Sequence, residues 1–190
     1  GKNRPQLLHL INFHMQQISN EERRRISTKW LGLNWSKNKE AQGNLTDGEK
    51  TGIKSNSVIL TKAEKNWLKE NQHIRLAFDG YWPPYSFLND QGKFEGLAVD
   101  YVKLLEQRLG IHFDLYPNGH WDKLFEAAKN RQVDMVATMV ERPERHQWFN
   151  FSKPYISLRN VIVVHNNEKA IEQESDINGR RIAMVKGYFY

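Results

Sequence analysis

The sequence predicts an α/β fold, and three observations carry that prediction. Short runs of alternating apolar residues read as strands, runs of helical period fall between them, and glycine or proline punctuates the joins. Strands separated by helices imply right-handed crossovers and a mostly parallel sheet flanked by helices.

The elements follow in order. Leu7, Leu10, Ile11, Met15 and Ile18 recur at helical spacing, and Ser19, with Glu21 and Glu22 behind it, caps a second helix to Trp30 that stops at Gly32. From Ser36 to about Ser57 bulky apolar residues nearly vanish, which reads as a polar linker or exposed loop. Thr61 and Glu64 form a capping box for a short helix, Lys62 to Glu70. Ile74, Leu76 and Phe78 alternate as a strand does, and Asn89 to Gly92 is a turn between Phe87 and Phe94 that predicts a small hairpin. Ala98, Val102, Leu105 and Leu109 share one face of a helix closed by Gly110, and Ile111, Phe113 and Leu115 form the next strand. Trp121, Leu124, Phe125 and Ala128 mark a helix, followed by a strand from Val133 to Met139. A short helix is expected after Pro143, with further strands over Leu158 to Val164 and Arg181 to Val185.

Composition excludes several functions. The 190 residues contain no cysteine, so disulfides, thiolate catalysis and cysteine metal sites are absent. A net charge of +6 is modest, and Arg23, Arg24 and Arg25 follow Glu21 and Glu22 on one helix, a solvated face and not a nucleic-acid patch. No apolar run reaches the roughly 20 residues of a membrane helix. Phosphate-loop, dinucleotide, zinc-protease and nucleophile-elbow motifs are missing, and the seven histidines are dispersed as surface or packing residues. The expected region is therefore no enzyme, with no catalytic residues, metal or cofactor. Beginning at Gly1 and ending just after a strand-like run, the sequence reads as an excerpt of a longer protein.

Two constellations remain. Asp79-Gly80-Tyr81-Trp82-Pro83-Pro84-Tyr85-Ser86-Phe87 directly follows a strand, where open α/β sheets bind ligands. Such a loop can stack the apolar part of a ligand and pair its amino group, or it can be an aromatic turn packed on the core. Glu141-Arg142-Pro143-Glu144-Arg145 also lies just beyond a strand; an arginine there can grip a carboxylate, or the segment is a solvated charged turn.

The order of these features resembles family 3 bacterial solute-binding proteins, the type 2 periplasmic binding or venus-flytrap fold. The residues that carry the resemblance are Asp79…Trp82-Pro83-Pro84-Tyr85-Ser86-Phe87, Gly92-Lys93-Phe94-Glu95-Gly96, Val99-Asp100, Val133-Asp134-Met135-Val136, Pro143-Glu144-Arg145, Phe151-Ser152-Lys153-Pro154-Tyr155 and Gly179-Arg180-Arg181-Ile182-Ala183. Ile18-Ser19-Asn20-Glu21-Glu22-Arg23 with Lys29-Trp30-Leu31-Gly32 is similar to the closing helix of the same family. The resemblance implies a three-layer lobe preceded by a helical segment and linker: residues 1–32 end a preceding flytrap, 33–59 link, 60–165 form a first lobe, and 166–190 cross the hinge and begin a second lobe. Tandem flytraps are similar to the sensor regions of hybrid histidine kinases.

Carried over by position, Asp79 meets an amino group, Trp82 covers the ligand beside Tyr85, Thr138 lies at the ligand's edge, and Arg145 holds a carboxylate. Gly187 and Tyr188 begin the second lobe's contribution. The chain departs from the family's amino-acid binders at Val140, which lacks their hydroxyl, and at Arg142, which replaces a threonine; this implies either a more acidic ligand served by Arg142 or a degenerate site that signals without one. The implied protein is a periplasmic sensor region of an inner-membrane kinase, binding a small anion or amino-acid-like molecule. Its partners are a neighbouring flytrap, a membrane reached only through the parent protein's tether, and, as a further option, a second copy in a homodimer; nucleic acid is not one. The rival readings are a transport solute-binding protein for amino acids and a binding region fused to a diguanylate cyclase or lytic transglycosylase.

Overall fold

The computed structural model describes residues 4–32, 60–117, 119–157, 161–167 and 171–183. The linker 33–59 and the site candidates Gly187 and Tyr188 lie outside the described residues. The chain divides into two compact units, Gly1–Lys153 and Pro154–Tyr190.

In the first unit, helices α1 (Pro5–Gln16) and α2 (Asn20–Leu31) are separated by a short turn. Ser19 ends that turn as a reciprocal cap: its Oγ accepts from Glu22 N at 3.2 Å, and its own N–H donates to Glu22 Oε2 at 2.8 Å. Gly32 closes α2 in the left-handed region, at φ 62°. Helix α3 (Lys62–Glu70) starts with the same device, Thr61 against Glu64.

A parallel sheet follows, with strands β1 (Ile74–Ala77), β5 (Phe113–Leu115) and β6 (Met135–Val136) in the order β5-β1-β6. Ala77 clusters with Leu124 of α5 (Trp121–Lys129) and with Val133 on one face. Ile74 and Leu76, which point the other way, are also at 0% exposure. The sheet is thus buried on both faces and forms the middle layer of an α/β fold. Between β1 and β5 the chain makes a second, antiparallel sheet, β2 (Tyr81–Trp82), β3 (Ser86–Leu88) and β4 (Phe94–Glu95), and then helix α4 (Leu97–Leu109).

Helices α1 and α2 pack on α4. Their apolar face is Leu7, Leu10, Ile11, Met15, Ile18 and Ile26, all buried. Helix α2 runs antiparallel to α4. Near its start, Glu22 takes both bonds of Arg108 Nη2, at 2.9 and 2.8 Å; near its end, Lys29 Nζ and Trp30 Nε1 each donate to Asp100 Oδ2 at 2.7 Å. The edge of Trp30 meets the Phe87 ring at 5.8 Å.

Several expectations need correction. The strand expected over Val133 to Met139 is only Met135–Val136, because β1 ends at Ala77, whose carbonyl accepts the last bond, from Ala137 N at 3.0 Å. The helix expected after Pro143 is a single 3-10 turn, Pro143–Arg145. In the second unit, 158–160 of one expected strand and 184–185 of the other lie outside the described residues; Val161 to Val164 are exposed and have no ladder partner among the described residues, and without one alternation or apolar character does not make a strand. Residues 181–183 likewise form none, and the unit's described element is a 3-10 turn, Glu174–Ile177.

Leu124 joins α5 to the sheet with no exposed surface. We expect Leu124→Ala to lower stability by about 2–5 kcal/mol in urea denaturation, while Lys93→Ala in the exposed hairpin stays within about 0.5 kcal/mol.

Candidate ligand-binding site

All three strands of the parallel sheet point the same way, so the segments after β1, β5 and β6 emerge at one edge. These are residues 78–85, 116–120 and 137–145, and they hold every site candidate among the described residues. The carboxyl edge of an open parallel sheet is where α/β folds bind ligands.

The first segment is anchored at both ends. Asp79 is 1% exposed, and its Oδ1 accepts from Tyr81 N at 2.9 Å, a local turn that aims the chain outward. That bond fixes the start of the loop. At the far end, Leu97 N and Ala98 N, the first amides of α4, donate to Pro84 O at 3.0 Å and Tyr85 O at 2.8 Å. Those amides have no partner inside the helix, so the loop carbonyls supply the cap. Gly96 makes this possible: its φ is 130°, and a Cβ there would lie 2.4 Å from Tyr85 O. Trp82 and Tyr85 are half-buried with ring centroids 5.3 Å apart, and burial pushes the Tyr85 phenol above its ordinary range.

The second segment links this loop to the rest. Gly80 N donates to Gly119 O at 2.8 Å, with the two glycine backbones in contact. The Tyr81 ring stacks on His120 at 4.5 Å, its Oη 3.2 Å from Nε2. Trp121, which begins α5, follows directly.

The third segment holds the cations. Arg142 Nη1 is paired with Glu144 Oε1 at 3.0 Å. Arg145 is different. Its guanidinium lies over the rings of Trp121 and Phe125, at 5.4 and 5.5 Å, and Nη1 donates to Val140 O at 2.7 Å. It has no ion pair among the described residues. Desolvation, then nearby Arg142, pulls its pKa below the usual guanidinium value, while Glu144 acts the other way. Thr138 supplies a second such group: it is 6% exposed and its Oγ1 has no hydrogen-bond partner among the described residues.

The structure therefore joins Asp79, Tyr81, Trp82 and Tyr85 in one anchored loop and Arg145, Trp121 and Phe125 in a slot. Residues 119–121 connect the two groups. Sequence reasoning treated Trp121 and Phe125 as a helix face and passed over His120. Their aromatic character at the first turn of a helix that follows a strand edge was the available signal.

The family model described as bacterial extracellular solute-binding proteins, family 3, matches residues 74–187, more than half of the chain. The chain belongs to that family. The L-cystine-binding protein TcyJ of Escherichia coli (strain K12) is 31% identical over 127 residues, 66% of this chain and 47% of that protein. The virulence sensor protein BvgS of Bordetella bronchiseptica is 22% identical over 180 residues, 95% of this chain and 13% of that protein. A probable histidine-binding protein of Campylobacter jejuni is 27% identical over 141 residues, 72% of this chain and 54% of that protein. The chain thus spans about half, or less, of these relatives. Similar solved structures include an ancestral arginine-binding protein bound to glutamine, with a TM-score of 0.49, 27% identity, and coverage of 57% of this chain and 48% of that one. The B. pertussis BvgS periplasmic domain has a TM-score of 0.48 at 19% identity, covering 52% of this chain and 19% of that one. No described helix is long and apolar enough to cross a membrane.

We expect Gly96→Ala to destabilise the fold by more than about 1 kcal/mol, because Ala resists positive φ and its Cβ has no room. Near-ultraviolet circular dichroism should report the displaced Trp82 and Tyr85 rings. An unchanged spectrum and stability would mean that the loop is not anchored through this contact.

Proposed function

We propose that the chain forms one side of a binding site for a small carboxylate-bearing ligand and belongs to the periplasmic sensing region of a membrane-anchored signalling protein. The observation that carries the ligand class is Arg145, a cation set among aromatic rings with no ion pair among the described residues. Arg142, held by Glu144, is the less available of the two cations. In this reading Arg145 grips the carboxylate, Trp82 and Tyr85 cover the apolar part, and Thr138 Oγ1 donates to a polar edge. Asp79 acts by shaping the loop. Ligand binding shifts the balance of open and closed lobes by its differential affinity for them.

Support for sensing over transport comes from the reach of the similarity. The alignment with the sensor BvgS runs over 95% of the chain, whereas that with the cystine-binding protein runs over 66%. A helical tail, a linker and a new lobe fit tandem flytraps, with residues 1–32 closing the preceding one. The carrier reading remains the alternative: a parent protein with one flytrap and no membrane span would establish it, and a span followed by a kinase core would exclude it.

The test is calorimetric titration, on the longest natural chain that contains these residues, with amino acids, dicarboxylates and other small carboxylates. We expect Arg145→Ala to weaken carboxylate binding at least tenfold, about 1.4 kcal/mol. Unchanged affinity would remove Arg145 from the site. Trp82→Ala should weaken binding with the fold intact; loss of folding would make that ring a core element instead.

A further inference from the structure

His14 lies outside the site just described, on the face of α1 that meets the lobe. Its exposure is 0%, and neither Nδ1 nor Nε2 has a hydrogen-bond partner among the described residues. A neutral imidazole carries one donor and one acceptor, so one of each is buried unmet; an imidazolium would bury two donors and a charge. The surroundings offer the charge little help. Leu10 and Met15 are buried beside it along α1, and the neighbouring Phe13 ring meets it edge-on at 5.4 Å.

The charged groups around His14 come from four helices. From α4, Arg108 Nη1 donates to His14 O at 3.4 Å, and this cation opposes protonation. From α2, Glu22 is committed to Arg108 and to the Ser19 cap, while Arg23 donates through Nε to Ile18 O at 3.1 Å. From α3, Glu64 favours protonation, but its carboxylate is bound to Thr61 at 2.7 and 2.8 Å. On α1 itself, His9 also lies in the field of Glu64. No carboxylate reaches the imidazole. We infer that His14 is a proton-sensitive latch: docking of the α1–α2 hairpin on α4 holds while the imidazole is neutral and loosens when it is protonated.

The direction follows from linkage. Desolvation by burial is the largest influence on His14 and sets its pKa in the folded chain below the ordinary 6.5. The docked state is therefore at full strength above 6.5, weakens as pH falls below that value, and levels off once pH passes the folded-state pKa. Glu22 and Glu64 are held below their ordinary 4.5 by their caps, so their contribution is lost only in a more acidic window.

The test is hydrogen exchange of the intact chain at pH 7.5 and at about 5.2, inside the histidine window, corrected for intrinsic exchange. Protection of the α1 and α2 amides should fall at the lower pH, by up to about twentyfold, the ceiling that linkage sets for one histidine of ordinary pKa in the unfolded chain. His14→Phe, apolar and without a titrating group, should keep the same protection at both. Equal wild-type protection at the two values would overturn the latch, as would the same acid loss in His14→Phe. Should that variant not fold, an NMR titration of wild-type His14 decides: a midpoint at or above 6.5 would refute the inference, and one below it would support it.

Discussion

The geometry of the candidate site depends on how the first turn of α4 is capped. Leu97 and Ala98 donate to the carbonyls of Pro84 and Tyr85, and only a residue without a side chain fits between them at Gly96. The helix needs acceptors for its first amides, and the aromatic loop needs a fixed end. One contact meets both needs. The same helix receives α1 and α2 on its outer side, with Asp100 and Arg108 near its two ends binding Trp30, Lys29 and Glu22. Loop and hairpin are thus fastened to a common rod.

Charge is distributed in two ways. Arg108 with Glu22, Arg75 with Asp134 and Arg142 with Glu144 are matched pairs. Arg145 is held by rings and a carbonyl instead, a neutral cradle that positions the guanidinium without cancelling its charge. The exposed pairs add little to stability because water screens them. An arginine kept in an uncharged cradle keeps its field for whatever approaches the sheet edge.

What the sequence made legible was local. The caps at Ser19 and Thr61, the stops at Gly32 and Gly110 and the buried stripe of α4 all depend on residues a few positions apart, and each lies where expected. The order of motifs that resembles solute-binding proteins was legible too, and the family match covers 74–187. Features that need a distant partner were not. The length of β6 is set by where β1 ends, and Val161 to Val164 look like a strand but have no neighbour to pair with among the described residues. Trp121, Phe125 and Arg145 meet only because α5 and the 3-10 turn fold to the same edge. His14 looked like any of seven scattered histidines until its neighbours closed over it.

The touching glycines at 80 and 119 restrict how such a site can diversify. A Cβ on Gly119 would lie 2.9 Å from Gly80 Cα, and one on Gly80 would lie 3.2 Å from Gly119 Cα. No side chain at one position makes room for a side chain at the other. The seam between the two loops therefore leaves little room for incremental change, and variation falls to the residues that flank it, Tyr81 and Trp82 on one side and His120 and Trp121 on the other.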